Sequence, residues 1–581
     1  MKRINIALAA CSLMLGFTAC DDQLDVKNPN YQTTADFGDN EAELQEAVIA
    51  CYNRIRLEGT FARVGYTMDA VRGDEVWNAS QVWYLPFDNL NVGAGDEIGQ
   101  WIWRDSYHGV NRANFVLKFV EKAKLSTDAY NQIKGQALFI RALMNFHLTA
   151  YFQNVPLYTN YDAYSTLEGT YAKNASQDEV FDLIEADLAE AMAILPSRDK
   201  GGDWAKGRAT CGAAAGFYAR ALMFRHKFAE AYEVLKDIIA GKYGHYELMA
   251  DYGDNCREGA SENNAESLFE VQFLDFGKQG TEAEWTPVNM TKDATQGHAV
   301  ESNYASYVFN SWADLAGADW LYQEFKRERT TDDRLDPRLY WTLVTYEKEY
   351  DNYTGVKTAA YPNGDPRCNT VYQTDLSETP AVNAGAIGSI SIAKNTNARN
   401  NLYNKIATGL SCGVNLRLMR YSDVLLRAAE CENEINGPTQ TAIDYINQVR
   451  RRATLADLKL ADFPTADALF EQIANVERPK EFGCEYGRGM DLIRWGFFYD
   501  ASRRQQLTEH TTYSYKNSAE GETITKCSMD NYLPGHEYFP IFQNTLDQNK
   551  NLLGNSANSE TETDNTEAFF SKGYKVHPVV K

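Results

Sequence analysis

Apolar residues in 417–455 recur at helical spacing in two runs, separated at Gly437-Pro438. In the first run Leu418, Tyr421, Leu425, Ala428 and Ala429 fall on one face. In the second, Ala442, Ile446 and Val449 make a similar stripe. Gly suits a helix C-terminus, and Pro is tolerated where a helix begins because its missing N–H is not needed there. The pattern predicts two antiparallel helices, each hiding only part of its apolar face, so further hairpins are expected beside them.

The same spacing recurs through the N-terminal half. It predicts helices over 41–57, 61–72 and 101–123, and one over 130–152 that is apolar on nearly all sides and therefore deep. Ser176 and Glu179 stand at capping-box spacing ahead of Phe181, Ile184, Leu188, Ala191 and Leu195. Residues 207–225 are rich in small side chains that allow close approach and are expected to pair with 228–240, with Ala219, Phe228, Ala231 and Leu235 at tetratricopeptide-like spacing. Three or four such pairs would make a rigid frame. Residues 266–273 alternate like a short strand. From 275 to 415 Gly, Asn, Asp, Thr and Tyr dominate, and an insertion of that length is expected to carry function.

Residues 1–19 have the form of a signal peptide: Lys2 and Arg3, then a mostly apolar run from Ile6 to Phe17. That run is shorter than the roughly 20 apolar residues a membrane span needs. It ends Phe17-Thr18-Ala19-Cys20, which resembles a lipobox with Phe where Leu is usual, so Cys20 is the expected lipidation site. Residues 20–40 are polar and are expected to act as a tether.

Composition narrows the function. The chain of 581 residues is 44% hydrophobic, enough for a sizeable core, and carries 80 Asp plus Glu against 57 Lys plus Arg. A net charge of −23 argues against nucleic acid, which needs a basic face. Beyond Cys11 and Cys20, the cysteines at 51, 211, 256, 368, 412, 431, 484 and 527 form no C-x-x-C pair. Buried thiols are the expectation for Cys211 and Cys431, and no metal site is expected. No H-E-x-x-H, G-x-S-x-G or Walker loop is present, so no catalytic residue is assigned and no enzyme or cofactor is expected. His147, inside an apolar helix, reads as a core histidine. The alternating charges Glu477, Arg478, Glu481, Glu485, Arg488, Asp491 and Arg494 read as an ion-pair network that fixes two helices and Trp495.

The 35 Tyr and 10 Trp include several in polar loops, at 77–84 and 285–320, where burial in a core is a poor explanation. A sugar ring offers an apolar face that stacks on an indole or phenol, while Asp, Asn and Arg bond its hydroxyls. Trp101, Trp103 and Trp495 lie in predicted helices and read as core.

The phrases RYSDVLLRAAECENEIN (420–436), AIDYINQVRRRA (442–453) and ERPKEFGCEYGRGMDLIRWG (477–496) resemble the RagB/SusD family. So do the order Trp101, Tyr107, Val110, Asn111, Asn114 and the run from Asp332 to Arg338. Residues 536–555 match its closing segment in part, with Pro540-Ile541-Phe542 where Pro-Ile-Pro is usual. The family consists of surface lipoproteins of Bacteroidota that capture nutrients, usually glycans, for a TonB-dependent transporter. The resemblance implies a mostly α fold of tetratricopeptide-like hairpins with a long loop-rich insertion and a few short strands. It divides the chain into an N-terminal helical region, 41–245, and a C-terminal region, 266–581. Asp21, Asp22 and Asp25 resemble the family's surface-export signal. The implied ligand site combines Asp74, Trp77, Asn78, Trp83, Tyr84 and Asn91 with Trp285, Trp312 and Trp320 from the insertion. The implied partners are an oligosaccharide, a SusC-like TonB-dependent transporter and the outer membrane through the lipid anchor. A surface protein-binding scaffold of tetratricopeptide type is the alternative, and a surface glycoside hydrolase the third reading.

Overall fold

The computed structural model describes residues 37–38, 40–274, 297–305, 311–344, 386–387, 390–397, 412–517, 523–558 and 564–580. The signal peptide, Cys20, almost all of the tether and much of the insertion, with Cys368, lie outside the described residues.

The frame is helical. Its helices are α1 (Glu41–Arg54), α2 (Val64–Val71), α3 (Glu97–Val120), α4 (Thr127–Phe152), α5 (Gln177–Ile194), α6 (Cys211–Phe224) and α7 (Phe228–Ile239). After the short α8 (Asp319–Lys326) come α9 (Tyr421–Asn436), α10 (Gln440–Arg452), α11 (Arg488–Arg494) and α12 (Ala501–His510). Side-chain oxygens of Ser126, Thr210 and Thr439 accept N–H bonds at three helix starts, and Ser176 and Glu179 form a reciprocal capping box at α5. In space the order α3, α4, α5, α6, α7, α9, α10 is continuous, each packed on the next. The hairpin after the insertion thus docks on α7 and extends the same array. Every residue of α4 from Gly135 to Phe152 is buried, because α3 and α5 flank it.

Leu418 is not helical, contrary to the one-face expectation. Leu416–Arg420 is a strand, β4, paired antiparallel with β2 (Ser267–Val271), and α9 begins only at Tyr421. Gly437 takes φ 74° at the break, and Thr439, not Pro438, caps α10. The β2–β4 ribbon lies on α6, where a Cβ at Gly216 would come within 2.5 Å of Met419 Sδ and 2.9 Å of Leu268 Cδ2. Two further strands, β1 (Val76–Asn78) and β3 (Leu315–Gly317), pair with each other, and β5 (Thr512–Asn517) pairs with β6 (Thr523–Cys527). Cys51, Cys211, Cys431 and Cys484 are buried thiols, and burial pushes Cys211 up to about 11.

The alternating charges of 477–494 form a buried network. Arg420 donates to Glu266 (2.7 Å), Glu481 (2.8 Å) and Glu485 (2.8 Å). Arg452 also bonds Glu481 and reaches Glu266 at 3.2 Å, and Arg338 reaches Glu481 at 3.2 Å and Asp336 at 2.6 Å. Beside it Arg478 bridges Asp423 and Asp491 at 2.7 Å each, while Arg494 joins Asp491 to Glu430, which also accepts Trp495 Nε1 at 2.8 Å. Burial would push the Glu481 carboxyl up, but Arg452, Arg420 and Arg338 override it and hold it below the usual range. His147 is a core histidine: it is fully buried, its Nδ1 meets Tyr486 Oη at 2.8 Å, and burial lowers it to about 3.

The C-terminal tail clasps the frame. His577 stacks on Phe470 with ring centres 4.2 Å apart, and its two nitrogens meet Asp467 and Glu434 at 2.7 Å each. Burial opposes its charge, but Glu434 and Asp467 prevail and raise its pKa.

Two outcomes test this packing. Glu481→Gln leaves three buried guanidiniums short of one negative charge and should cost about 3–5 kcal/mol in urea unfolding; a loss below about 1 kcal/mol would show the network is dispensable. For His577 the folded pKa is raised, so its stabilisation is complete below the ordinary value of about 6.5 and is lost as pH climbs through the folded pKa. The melting-temperature gap between wild type and His577→Ala should therefore narrow as pH rises above about 6.5. A gap that is constant or widens with pH would refute a charged clasp.

Candidate functional site

The β1–β3 pair builds the candidate face. Val76, Trp77 and Asn78 stand opposite Gly317, Ala316 and Leu315, which brings the loop after α2 against a strand of the insertion. Asn78 Oδ1 accepts the Gln81 N–H at 3.0 Å and closes a turn. Ala79 N–H donates to Asp314 O at 2.8 Å and Ser80 Oγ to Ala313 O at 3.2 Å, so the turn rests on 313–314.

The site residues expected from sequence divide by exposure. Trp83 is 44% exposed beside Val82 at 72%, and Asn91 is exposed in the loop before α3. Trp312 and Trp320 are half-buried, and Trp285 lies outside the described residues. Asp74, Trp77, Asn78 and Tyr84 are buried. Trp77 stacks on Tyr513 at 4.0 Å with planes 18° apart. Tyr84 turns inward, its hydroxyl 3.0 Å from Thr67 Oγ1 and donating to Asn303 Oδ1 at 3.1 Å. Asp74 is held by Arg488 at 2.7 and 2.8 Å and by His510 at 2.7 Å. Burial alone would push that carboxyl up; Arg488, with His510, overrides it and holds it below the usual carboxylate range. Asp74, Trp77 and Tyr84 make internal contacts in the structure. They hold the face from beneath.

Trp320, on α8, stacks on His510 at 4.0 Å with planes 9° apart, and its indole N–H donates to the Asp74 carbonyl. Its edge borders an open recess of about 610 Å³ with Gln323, Lys326 and Arg327. Trp312 faces the Arg63 guanidinium at 5.9 Å, and Arg63 lies 6.0 Å from the Trp101 ring. Asp314 beneath the turn is pushed up to about 6 by burial, against the hydrogen bond from Asn303 at 2.6 Å. His510, Tyr513, Asp314 and Arg63 were outside the sequence expectation. His510 and Tyr513 come from elements more than 400 residues after Asp74 and Trp77, and no local pattern announces such meetings. Among the described residues no group of His, Cys, Asp and Glu is disposed to hold a metal ion.

A mostly helical, tetratricopeptide-like frame with a few short strands defines the class of molecule. The model of the SusD family matches residues 265–557, and a second model, described as starch-binding associating with outer membrane, matches 22–223. The chain belongs to the SusD family. Two SusD-like proteins of Formosa agariphila are 24% identical over 533 residues and 23% over 509, covering 86% and 85% of this chain and 91% of each relative. Among solved structures, a SusD superfamily protein of Bacteroides vulgatus aligns with a TM-score of 0.67 at 22% identity over 90% of this chain and 100% of its own. A surface glycan-binding protein A of Bacteroides thetaiotaomicron, in complex with laminarihexaose, aligns with a TM-score of 0.64 at 21% identity over 88% and 99%. The mostly helical, tetratricopeptide-like fold with few short strands is shared with these structures.

Proposed function

We propose that this chain is a glycan-binding lipoprotein of the cell surface, anchored through Cys20, that delivers an oligosaccharide to a SusC-like TonB-dependent transporter. The observation that carries the reading is the β1–β3 pairing, which rests the turn before the exposed Trp83 on Ala313 and Asp314 of the insertion. Membership in the SusD family and the likeness to a protein whose structure holds laminarihexaose support it. An indole face open to solvent suits the apolar side of a pyranose, and Asn91 and neighbouring polar groups suit its hydroxyls. A carrier must release its ligand, so a shallow platform with micromolar to millimolar affinity, about −8 to −4 kcal/mol, fits the role better than an enclosed pocket. The reading assigns no reaction to the chain, since Asp74 beneath the face is held by Arg488 and Glu75 by Cys484 N–H at 3.0 Å. No described helix is long and apolar enough to cross a membrane, so acyl chains on Cys20 would supply the attachment.

Trp83→Ala should weaken binding at least tenfold in calorimetric titration against oligosaccharides such as laminarihexaose and maltohexaose, with the circular dichroism melt unchanged. Undiminished affinity in the variant, where the wild type binds, would move the site elsewhere, and a wild type that binds neither oligosaccharide nor polysaccharide would sink the glycan reading. Cys20→Ala should release the protein from the membrane fraction of cells lacking the transporter, while the native protein co-purifies with an outer-membrane barrel when both are present. Full membrane retention of the variant would refute the anchor, and a free monomer in gently solubilised membranes would refute delivery.

A further inference from the structure

A second concavity, of about 890 Å³, is bordered by Trp101, whose ring lies 6.0 Å from the Arg63 guanidinium. Its floor is the outer face of α3, where Glu97, Gln100, Trp101, Arg104 and His108 recur at helical spacing. Its walls are the 156–171 segment and the short helix Gln543–Gln548. The volume is within the range of small-molecule sites, roughly 300–1,000 Å³.

The lining has two kinds of side chain. Trp101, Trp103, Tyr107, Tyr158 and Tyr171 supply rings, and several of these are fixed before any ligand arrives. Trp103 packs edge-on against Phe152 at 5.1 Å, Tyr107 Oη donates to Pro156 O at 2.8 Å, Tyr158 Oη donates to Thr170 O at 2.6 Å, and the Tyr107 and Tyr158 rings meet edge-on at 5.5 Å. Glu97, Gln100, Arg104, Asn544, Asp547 and Gln548 supply planar amides and charged groups that exchange paired hydrogen bonds. Two carboxylates against one guanidinium give no cationic surplus, which disfavours phosphate or an acidic polymer. The aliphatic share, Leu167, Leu552 and Pro156, is small for a lipid or an amphipathic helix. Fixed rings with amides and carboxylates around them match a neutral, polyhydroxylated ring.

We propose that this groove is a second carbohydrate subsite, and that a long polysaccharide chain engages both it and the Trp83 face. The proposal rests on the glycan-binding reading above and deepens it. Two weak subsites joined by one chain raise the apparent affinity for a polymer far above that of either alone, because the second contact is made at high effective concentration. Each subsite stays weak, so short products dissociate readily. The preformed rings keep the ordering cost low.

The test is affinity electrophoresis of the intact soluble region through gels holding starch, laminarin, xylan or mannan. It uses Trp83→Ala, the groove variant Tyr171→Ala/Gln548→Ala, and the combination. Tyr171 is a half-buried loop residue and Gln548 is exposed, so neither change empties the core, and melting curves check the fold. Asn544→Ala, at another exposed position and bonded through its Oδ1 to Gln548 Nε2 at 2.9 Å, is the second groove variant. The expected result is retardation by at least one polysaccharide in the wild type, about tenfold weaker binding in the groove variant, residual binding in Trp83→Ala, and none in the combination. Groove variants that bind the polysaccharide like wild type overturn the second subsite and leave the Trp83 reading standing. Abolition by Trp83→Ala alone has the same meaning. A wild type retarded by none of the four polysaccharides overturns both readings together.

Discussion

Three buried guanidiniums around the Glu481 carboxylate hold the parts of this molecule together. Arg420 ends the strand that enters the C-terminal hairpin, Arg452 ends that hairpin, and Arg338 belongs to the insertion. Glu266, in the turn just before β2, completes the cluster. Charges this far from water are tolerated only when their hydrogen bonds are met, and the desolvation cost is repaid only by near-ideal geometry. The network therefore adds little net stability over apolar packing of the same volume. What it adds is selectivity: a shifted register would strand a charge, so the insertion and the hairpin can meet in one way only.

The same charged thread reaches the candidate face. Arg488, on the helix that follows Glu481 and Glu485, holds Asp74, and the Asp74 backbone carbonyl accepts the Trp320 indole N–H. Asp69, one helix earlier, accepts the N–H groups of Gly487, Gly489 and Met490 at 2.6, 3.3 and 3.2 Å, which locks α2 to the start of α11. The turn bearing Trp83 thus follows a segment whose Asp69 and Asp74 carboxylates are engaged inside the protein. Rigidity below and exposure above are what a stacking platform needs, since ring area contributes to binding only when the ring is already ordered.

The frame and the face have different energetic origins. Helices α3 to α7 bury broad apolar stripes, and the hairpin α9–α10 joins the same array although the insertion separates it by about 180 residues of chain. Loop-closure entropy grows only slowly with length, so an insertion of this size costs the frame little once the apolar faces meet. That latitude lets the loops carry the aromatic residues without compromising the core.

Much of the frame could be read from the chain alone. The stripes of 130–152, of Phe181 to Leu195 and of most of 417–455, the Ser176–Glu179 capping box and the small residues of 207–225 became helices over Thr127–Phe152, Gln177–Ile194, Tyr421–Asn436, Gln440–Arg452 and Cys211–Phe224, because helix formation and burial are set largely by local spacing. The alternating charges of 477–494 likewise predicted a network, though not its partners Asp423, Glu430 and Glu266. Local pattern misassigned Leu418, where pairing with β2 outweighed a helical stripe. It also could not tell Trp77 from Trp83: both are tryptophans in a polar stretch, yet one lies under Tyr513 and the other faces solvent. Nor could it show that Trp101 and Trp103, helical and expected to be core, border a groove. The sequence by itself determined where most of the frame helices and their apolar faces lie, since those depend on neighbours within a few positions. Only the tertiary structure decided which rings are open, because exposure is settled by segments such as 510–513 that arrive from hundreds of residues away.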